Sequence, residues 1–334
     1  MKDDTLGVAI VGCGLIGEKR SRALGKAKLV ACADVILERA NLLAKTTPGA
    51  TATPDWRTIL ERSDVDVVIV STSNNMLTQV TLAALQAGKH VLVEKPGARS
   101  SHEIEPLIEA TKRSGIRVRV GFNHRYHPAF RKARELFEAG VFGEMMFVRG
   151  RYGHGGRLGY EKEWRANPAL SGGGELIDQG VHLIDLARWF LGDFSDVKGF
   201  AHTYFWQMPV EDNAFMLLKT PQNHTAFLHV SCTEWKNLFS FEIYGRHAKL
   251  HIEGLGGSYG TERLTYYKML PQMGPPETTI WEYPMDDYSW QIEFDEFLED
   301  IRLGRTPTAN LNDALVALRV VEKIYAESGY DYYS

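Results

Sequence analysis

A glycine-rich turn near the head of the chain restricts the fold more than any other feature. The apolar run Leu6 to Val11 passes directly into Gly12-Cys13-Gly14-Leu15-Ile16-Gly17, and a helical segment opens there. Between a strand and a helix, glycines are needed where the backbone turns sharply and where it approaches a pyrophosphate. The helix N-terminus then offers unpaired N–H groups to that anion. Glycines also gather in turns for conformational reasons alone, so the strand and helix on either side carry the reading more than the spacing does. Gly12, Gly14, Leu15, Ile16 and Gly17 are therefore expected to hold a dinucleotide. The second strand ends at Asp34, where a carboxylate accepts hydrogen bonds from adenosine ribose hydroxyls and repels a 2′-phosphate. NAD is expected over NADP, and Arg39 reads as a solvated helix residue.

The segments that follow repeat a β-α-β rhythm. Leu29 to Ala33, Val65 to Val70, His90 to Val93 and Arg117 to Val120 read as further strands. Trp56 to Glu61, Leu77 to Gln86 and Ile104 to Lys112 carry apolar residues at helical spacing. This is the pattern of a parallel sheet with crossover helices. In such a sheet ligands lie beyond the carboxyl ends of the strands, which selects Ser71, Thr72 and Asn74, then Glu94 and Lys95, then Asn123 as lining the nicotinamide half of the groove. Lys95 follows Val91, Leu92 and Val93 and precedes a proline, so its ammonium is held at a strand tip; the structural alternative is a lysine paired with Glu94. After His124 the texture changes. A helical segment from Pro128 to Ala139 leads into longer alternating runs such as Met145 to Arg151, Ala214 to Lys219, Thr225 to Cys232 and Phe239 to Tyr244, which read as an antiparallel sheet. Helices over about Trp290 to Leu303 and Leu311 to Ala326 follow. The expected boundary divides residues 1–123 from 124–334.

Chemistry is expected on the stretch from Ser171 to Gly192, a glycine-rich approach followed by an apolar helix. Asp178, His182 and Asp185 fall at i, i+4 and i+7, on one face, while Ile177, Val181, Leu183, Ile184 and Ala187 cover much of the rest. Burying a carboxylate and an imidazole without partners costs several kcal/mol, so this stripe must be paired or wet. Removing a hydroxyl proton during hydride transfer is a task for a histidine near neutral pH, which makes His182 the expected base. Asp178 would orient it or bind a neighbouring hydroxyl, and Lys95 would stabilise developing alkoxide. A buried structural network and a metal site are the alternatives; the sequence has no HExxH or paired-cysteine spacing to support a metal.

These segments together resemble the glucose-fructose oxidoreductase, inositol dehydrogenase and MocA (Gfo/Idh/MocA) family. GCGLIG near the start, AGKHVLVEKP at 87–96, GFNHRYHP at 121–128, EWR at 163–165 and SGGGELIDQGVHLIDL at 171–186 carry the resemblance, which runs over nearly the whole chain. It implies an α/β Rossmann NAD-binding domain followed by an α+β domain. The second domain would hold an open, mostly antiparallel sheet flanked by helices, carry the substrate and pack against another subunit as a homodimer or homotetramer. The last helices would pack back toward the Rossmann domain. Lys95, Asp178 and His182 match the family's catalytic lysine, aspartate and histidine, and the Lys95-Pro96 bond is expected to be cis. Asn123, Arg125, Trp164 and Arg165 match positions that approach the cofactor in such proteins. One departure stands out: where many relatives carry a histidine after the Ser71 loop, this chain has Leu77-Thr78.

Tyr126, Tyr152, His154, Arg157, Tyr160 and Trp164 flank the catalytic helix in sequence and would suit a sugar or polyol, Arg157 through a phosphate or carboxylate on it. Trp206, Trp235 and Phe239 read as sheet or subunit interface. Composition narrows the partners. With 24% charged and 44% hydrophobic residues in a chain of 334 and a net charge of -4, no basic stripe for nucleic acid is present. No run of 18 apolar residues suggests a membrane span. Three isolated cysteines, Cys13, Cys32 and Cys232, suit a reducing, cytoplasmic compartment. The expected activity is NAD-dependent hydride transfer at a hydroxyl carbon of a sugar, cyclitol or nucleotide-sugar. A non-catalytic NAD-binding regulator and a redox-neutral enzyme that retains its cofactor are the competing functions.

Overall fold

The computed structural model describes residues 5–112 and 115–332. Two compact units make up the chain, one formed by Met1–Phe122 with Trp290–Leu315, the other by Asn123–Ser289 with Val316–Ser334.

In the first unit the elements run β1 (Gly7–Val11), α1 (Leu15–Arg22), β2 (Lys28–Ala33), α2 (Leu37–Ala44), β3 (Thr51–Thr53), α3 (Arg57–Leu60), β4 (Val67–Val70), α4 (Asn74–Gln86), β5 (His90–Val93), α5 (Ser101–Lys112) and β6 (Val118–Val120). The six strands form one sheet in the order β3-β2-β1-β4-β5-β6, with every pairing parallel. Strand order reverses between β1 and β4, so the loops after these two strands diverge and leave a crevice of the kind that takes ligands. Val8, Ala9, Ile10 and Val67 to Val70 are fully buried, as expected when helices cover both faces of a parallel sheet. Phe294 and Phe297 of α9 (Ser289–Leu303) join Ile10, Leu29, Leu43, Ile69 and Leu92 in the core. Helix α4 starts at Asn74 rather than at Leu77. Its first turn is polar, and apolar periodicity does not register polar turns.

The second unit contains α6 (Pro128–Glu138), β7 (Met145–Gly153), α7 (Pro168–Ser171), a π-helical turn Leu176–Gly180, α8 (Val181–Leu191), β8 (Asp196–His202), β9 (Asn213–Lys219), β10 (Thr225–Ser231), β11 (Leu238–Gly245), β12 (Ala248–Glu253), β13 (Glu262–Lys268) and β14 (Glu277–Tyr283). Helix α10 (Leu311–Ser328) ends in this unit. Eight strands form one sheet, β14-β13-β12-β11-β7-β10-β9-β8. Alternating burial along β8 shows the period of two that makes one face core and the other surface. The alternating runs are not wholly antiparallel: β7 and β10 pair in parallel, Thr225 opposite Phe147 and Ser231 opposite Gly153. The long connection through α8, β8 and β9 permits this, since parallel neighbours need a crossover of a dozen or more residues. Helix α8 packs on β7 and β10, which sets the π-turn against the centre of the sheet. Among the described residues no helix is long and apolar enough to cross a membrane.

Candidate active site

The glycine turn in the first unit has three distinct local demands. Gly12 has φ +95°, and a β-carbon there would lie 2.4 Å from the Ser71 carbonyl oxygen. A β-carbon at Gly17 would lie 2.1 Å from the Gly12 carbonyl oxygen, so α1 can pack against the loop only with glycine at this position. At Gly14 a β-carbon would meet no atom within 4 Å. The backbone there is bare and approachable at the start of a helix, which fits a pyrophosphate. Leu15 beside it is 70% exposed, and Ile16 is half-buried. Asp34 braces the turn: its Oδ2 accepts the Cys13 N–H at 2.8 Å and its Oδ1 the Ile36 N–H at 2.9 Å. A carboxylate has about four acceptor directions, so capacity remains for ribose hydroxyls. Arg39 is exposed.

The other strand tips of this unit follow the expected pattern. Ser71 Oγ donates to the Gly12 carbonyl at 2.8 Å, Thr72 Oγ1 to the Ser73 carbonyl at 3.1 Å, and Asn74 is buried at the head of α4. Leu77, at the departure from the family pattern, is buried in the core, and Thr78 Oγ1 bonds Glu103 at 3.4 Å. Lys95 is half-buried just beyond β5, and its bond to Pro96 is cis. Its neighbour Glu94 accepts from Arg20 Nε at 2.6 Å, and Arg20 also donates to Glu293 at 2.5 Å. This buried ion cluster ties α1 to the tip of β5 and to α9.

In the second unit Asp178 and His182 occupy the π-turn and the first turn of α8. The regular α-helix expected through Asp178, His182 and Asp185 is instead a π-turn holding Asp178 followed by α8 holding His182 and Asp185. Asp178 accepts from Arg165 Nε at 3.1 Å. The negative charge of Asp178 is the main reason that Arg165 is held more basic than usual. Arg165 lies over the Trp164 ring at 4.7 Å. Asp185 serves a separate pair, accepting Arg125 Nε at 2.8 Å with both side chains buried. The His182 ring stacks on His124 with centroids 3.8 Å apart and planes at 22°. His124 Nδ1 lies 3.2 Å from Asn123 Oδ1, and Asn123 Nδ2 donates to Ser289 Oγ at 3.0 Å.

Phenols and a second carboxylate surround this pair. Tyr152, at the end of β7, presents its edge to His182 at 6.3 Å and to Tyr259 at 5.2 Å. Burial pushes the Tyr152 and Tyr160 pKa values up, with Glu175 and Asp178 adding to it, and Tyr259 is pushed up to about 12. All three therefore remain hydrogen-bond donors at neutral pH. Tyr160 OH points to Glu175 Oε2 at 3.5 Å, and His154 Nε2 stands 3.4 Å from Glu175 Oε1, an ion pair more than a well-aligned hydrogen bond. Burial opposes charge on His154, but Glu175 outweighs it and raises the imidazole pKa. Tyr126 is buried, whereas Arg157 is exposed and bonds Glu163 at 2.7 Å. Of the residues read as interface, Phe239 is buried, Trp206 Nε1 bonds the Cys232 carbonyl at 2.9 Å, and Trp235 is exposed. Sequence reasoning missed Glu175 and Tyr259. Tyr259 lies in a loop far along the chain, so no spacing signal could have marked it.

Two family profiles match this chain: "Oxidoreductase family, NAD-binding Rossmann fold" over residues 6–122 and "GFO/IDH/MocA C-terminal domain" over 130–251. The chain belongs to the Gfo/Idh/MocA oxidoreductase family. Its first unit has the family's NAD-binding Rossmann fold. Levoglucosan dehydrogenase of Pseudarthrobacter phenanthrenivorans is 30% identical over 228 residues, 64% of this chain. The match spans 58% of that relative, less than two thirds of its length. The scyllo-inositol 2-dehydrogenase (NAD(+)) of Bacillus subtilis is 26% identical over 327 residues, covering 93% of this chain and 91% of the relative. Among solved structures, levoglucosan dehydrogenase in complex with NADH and L-sorbose has the same fold, with TM-score 0.86 at 23% identity over 97% of this chain and 98% of that one.

Proposed function

We propose that the chain is an NAD-dependent dehydrogenase acting on a secondary hydroxyl of a cyclic polyol or sugar, with His182 as general base or acid and Lys95 and Asp178 assisting. The observation that carries this reading is Asp178 and His182 one turn apart, beside Arg165 and phenols that stay protonated, in a member of an oxidoreductase family. NAD, when bound, supplies the hydride acceptor. Gly12, Gly14, Leu15, Ile16, Gly17 and Asp34 would hold it, with Ser71, Thr72, Asn74, Glu94, Asn123, Arg125, Trp164 and Arg165 on the family's cofactor-side positions.

His182 takes the hydroxyl proton as the carbon is oxidised and returns it in the reverse direction. Asp178, paired with Arg165, accepts a hydrogen bond from a neighbouring hydroxyl. The Lys95 ammonium stabilises negative charge developing on the reacting oxygen. Tyr126 and Tyr152 bind the ring, and Arg157 reaches an anionic substituent where one is present. The named substrates of the two relatives, levoglucosan and scyllo-inositol, are ring compounds with several hydroxyls, which supports the substrate class.

The sheet supports an oligomer. Phe147, Phe200, Leu217 and Phe227 are exposed on strands whose register puts them on one face, and apolar patches of this kind mark interaction sites. We propose a homodimer or homotetramer through this face. Its buried free cysteines fit the cytoplasm.

Tryptophan-to-NADH energy transfer, followed by a panel of hexoses, inositols, sugar acids and nucleotide-sugars with NAD, tests the proposal. Binding and growth of nicotinamide absorbance with one class is expected. Binding without turnover on any class would turn the reading to a regulator or a retained-cofactor enzyme, and absence of binding would end it.

A further inference from the structure

A buried carboxylate with no part in the chemistry above sits against the turn that carries Asp178. Glu211 lies in the loop before β9 with 0% exposure. Three of its acceptor directions are filled and a fourth is shared. Oε1 takes the Leu176 N–H at 2.9 Å and the Tyr325 hydroxyl at 2.7 Å, Oε2 takes the Gly174 N–H at 2.9 Å, and the Tyr332 hydroxyl stands 3.3 Å from both Oε2 and the Pro209 carbonyl. The Glu211 carbonyl also accepts the Glu175 N–H at 3.1 Å. Three consecutive N–H groups thus end on one residue, and these are the donors that a helix start leaves without intrahelical partners. Gly174 passes the constraint on, since its carbonyl accepts the Asp178 N–H at 3.1 Å. Glycine is what allows the approach: a β-carbon at Gly174 would lie 2.0 Å from the Glu211 carbonyl oxygen, and one at Gly173 would lie 2.1 Å from the Tyr325 hydroxyl.

We infer that Glu211, braced by Tyr325 and Tyr332, is a positioning residue for the reaction, fixing the start of the π-turn and through it the placement of Asp178 and His182. The catalytic consequence rests on the dehydrogenase reading; the geometry does not. A π-turn departs from the regular helical ladder, and support from outside the helix makes its conformation single. The ionised carboxylate accepts from Tyr325 and both N–H groups at once, and protonation sets a further donor among them.

Burial pushes the Glu211 pKa up to about 7, against the pull of Tyr325 and the two N–H groups. The titratable groups around it are Tyr325 of α10, Tyr330 and Tyr332 beyond that helix, Asp212 next in the chain, Cys232 after β10 and Glu175 at the head of the π-turn. Tyr330, Tyr332 and Cys232, all pushed up, stay neutral through this range, so the acid limb is shared by Glu211 and the base His182.

The test compares wild type, Glu211→Gln and Tyr325→Phe as full-length protein with NADH, following kcat against pH and amide hydrogen exchange over residues 171–182. Wild-type kcat should fall on the acid side with the steep limb of two groups, the base His182 and Glu211. Glu211→Gln should leave only the single-proton limb of His182, quicken exchange from Gly174 to Asp178 and lower kcat by roughly 10- to 100-fold with NADH affinity unchanged. Tyr325→Phe removes a bond that favours the ionised form and should move the limb to higher pH. Wild-type kcat and exchange in Glu211→Gln, or an unmoved limb in Tyr325→Phe, overturns the inference. Should Glu211→Gln fail to fold, Tyr325→Phe decides alone. A wild-type protein inactive on every polyol overturns the dehydrogenase reading instead, and the exchange data then decide whether Glu211 fixes the turn.

Discussion

At Gly14 and Gly17 one residue type answers two different demands. The first has open space where a β-carbon would go, and the second has a carbonyl oxygen at 2.1 Å. Gly14→Ala should therefore leave stability within about 0.5 kcal/mol of wild type while weakening NADH binding, as read by thermal melts and by tryptophan-to-NADH energy transfer. An alanine variant that binds NADH normally would remove Gly14 from the cofactor surface. His182, the proposed base, is the counterpart on the second unit. His182→Ala should lower turnover by roughly 10² to 10⁴ and leave NADH affinity nearly intact. Near-normal turnover in steady-state assays would remove it as the base. Both residues were legible in the sequence because the signals, GxGxxG after a strand and Asp-x-x-x-His on an apolar stretch, are local.

Among the elements, the π-turn and α9 show where local reading stopped. Apolar spacing locates a helix between Ser171 and Gly192, but the extra residue in its first turn depends on what holds its N–H groups, and those partners come from Glu211, 35 residues away from Leu176. Helix α9 is recognisable by its periodicity, yet its place on the first unit comes from two buried arginines. Arg20 reaches Glu293 and stacks on Trp290 at 4.5 Å, and Arg119 reaches Asp300 at 2.5 Å and Glu296 at 3.1 Å. Removing one partner of a buried pair strands the other charge. Arg20→Met leaves Glu94 and Glu293 facing each other and should cost about 3–5 kcal/mol in urea unfolding. A loss under 1 kcal/mol would show that the cluster contributes little net stability.

For the molecule as a whole, Glu211 links stability to pH against the direction set by function. Its folded pKa, about 7, lies above the ordinary value of 4.5, so the folded state holds that proton more tightly than the unfolded chain does. The associated stability is present below about pH 4.5 and is lost as pH rises through 7. Between pH 4 and 8 the wild type should lose roughly 3 kcal/mol relative to Glu211→Gln. Urea unfolding of the two proteins at both pH values measures this, other titrations cancelling in the difference; a constant difference would place the Glu211 pKa near its ordinary value. The ionised form needed to hold the π-turn is thus the less stable one.

The sequence by itself determined the elements whose information is local: the parallel strands with their helices, the dinucleotide turn, and the stretch bearing Asp178 and His182. Strand alternation also announced a second sheet, because a half-buried strand must alternate whatever its neighbours are. Only the tertiary structure decided which strands pair, including the parallel β7 and β10, since alternation states burial and not partner or direction. It alone brought Tyr259, Glu175 and Glu211 to the candidate site and joined Arg125 to Asp185. A buried polar group is defined by the partner that satisfies it, and partners distant in sequence leave no periodic trace.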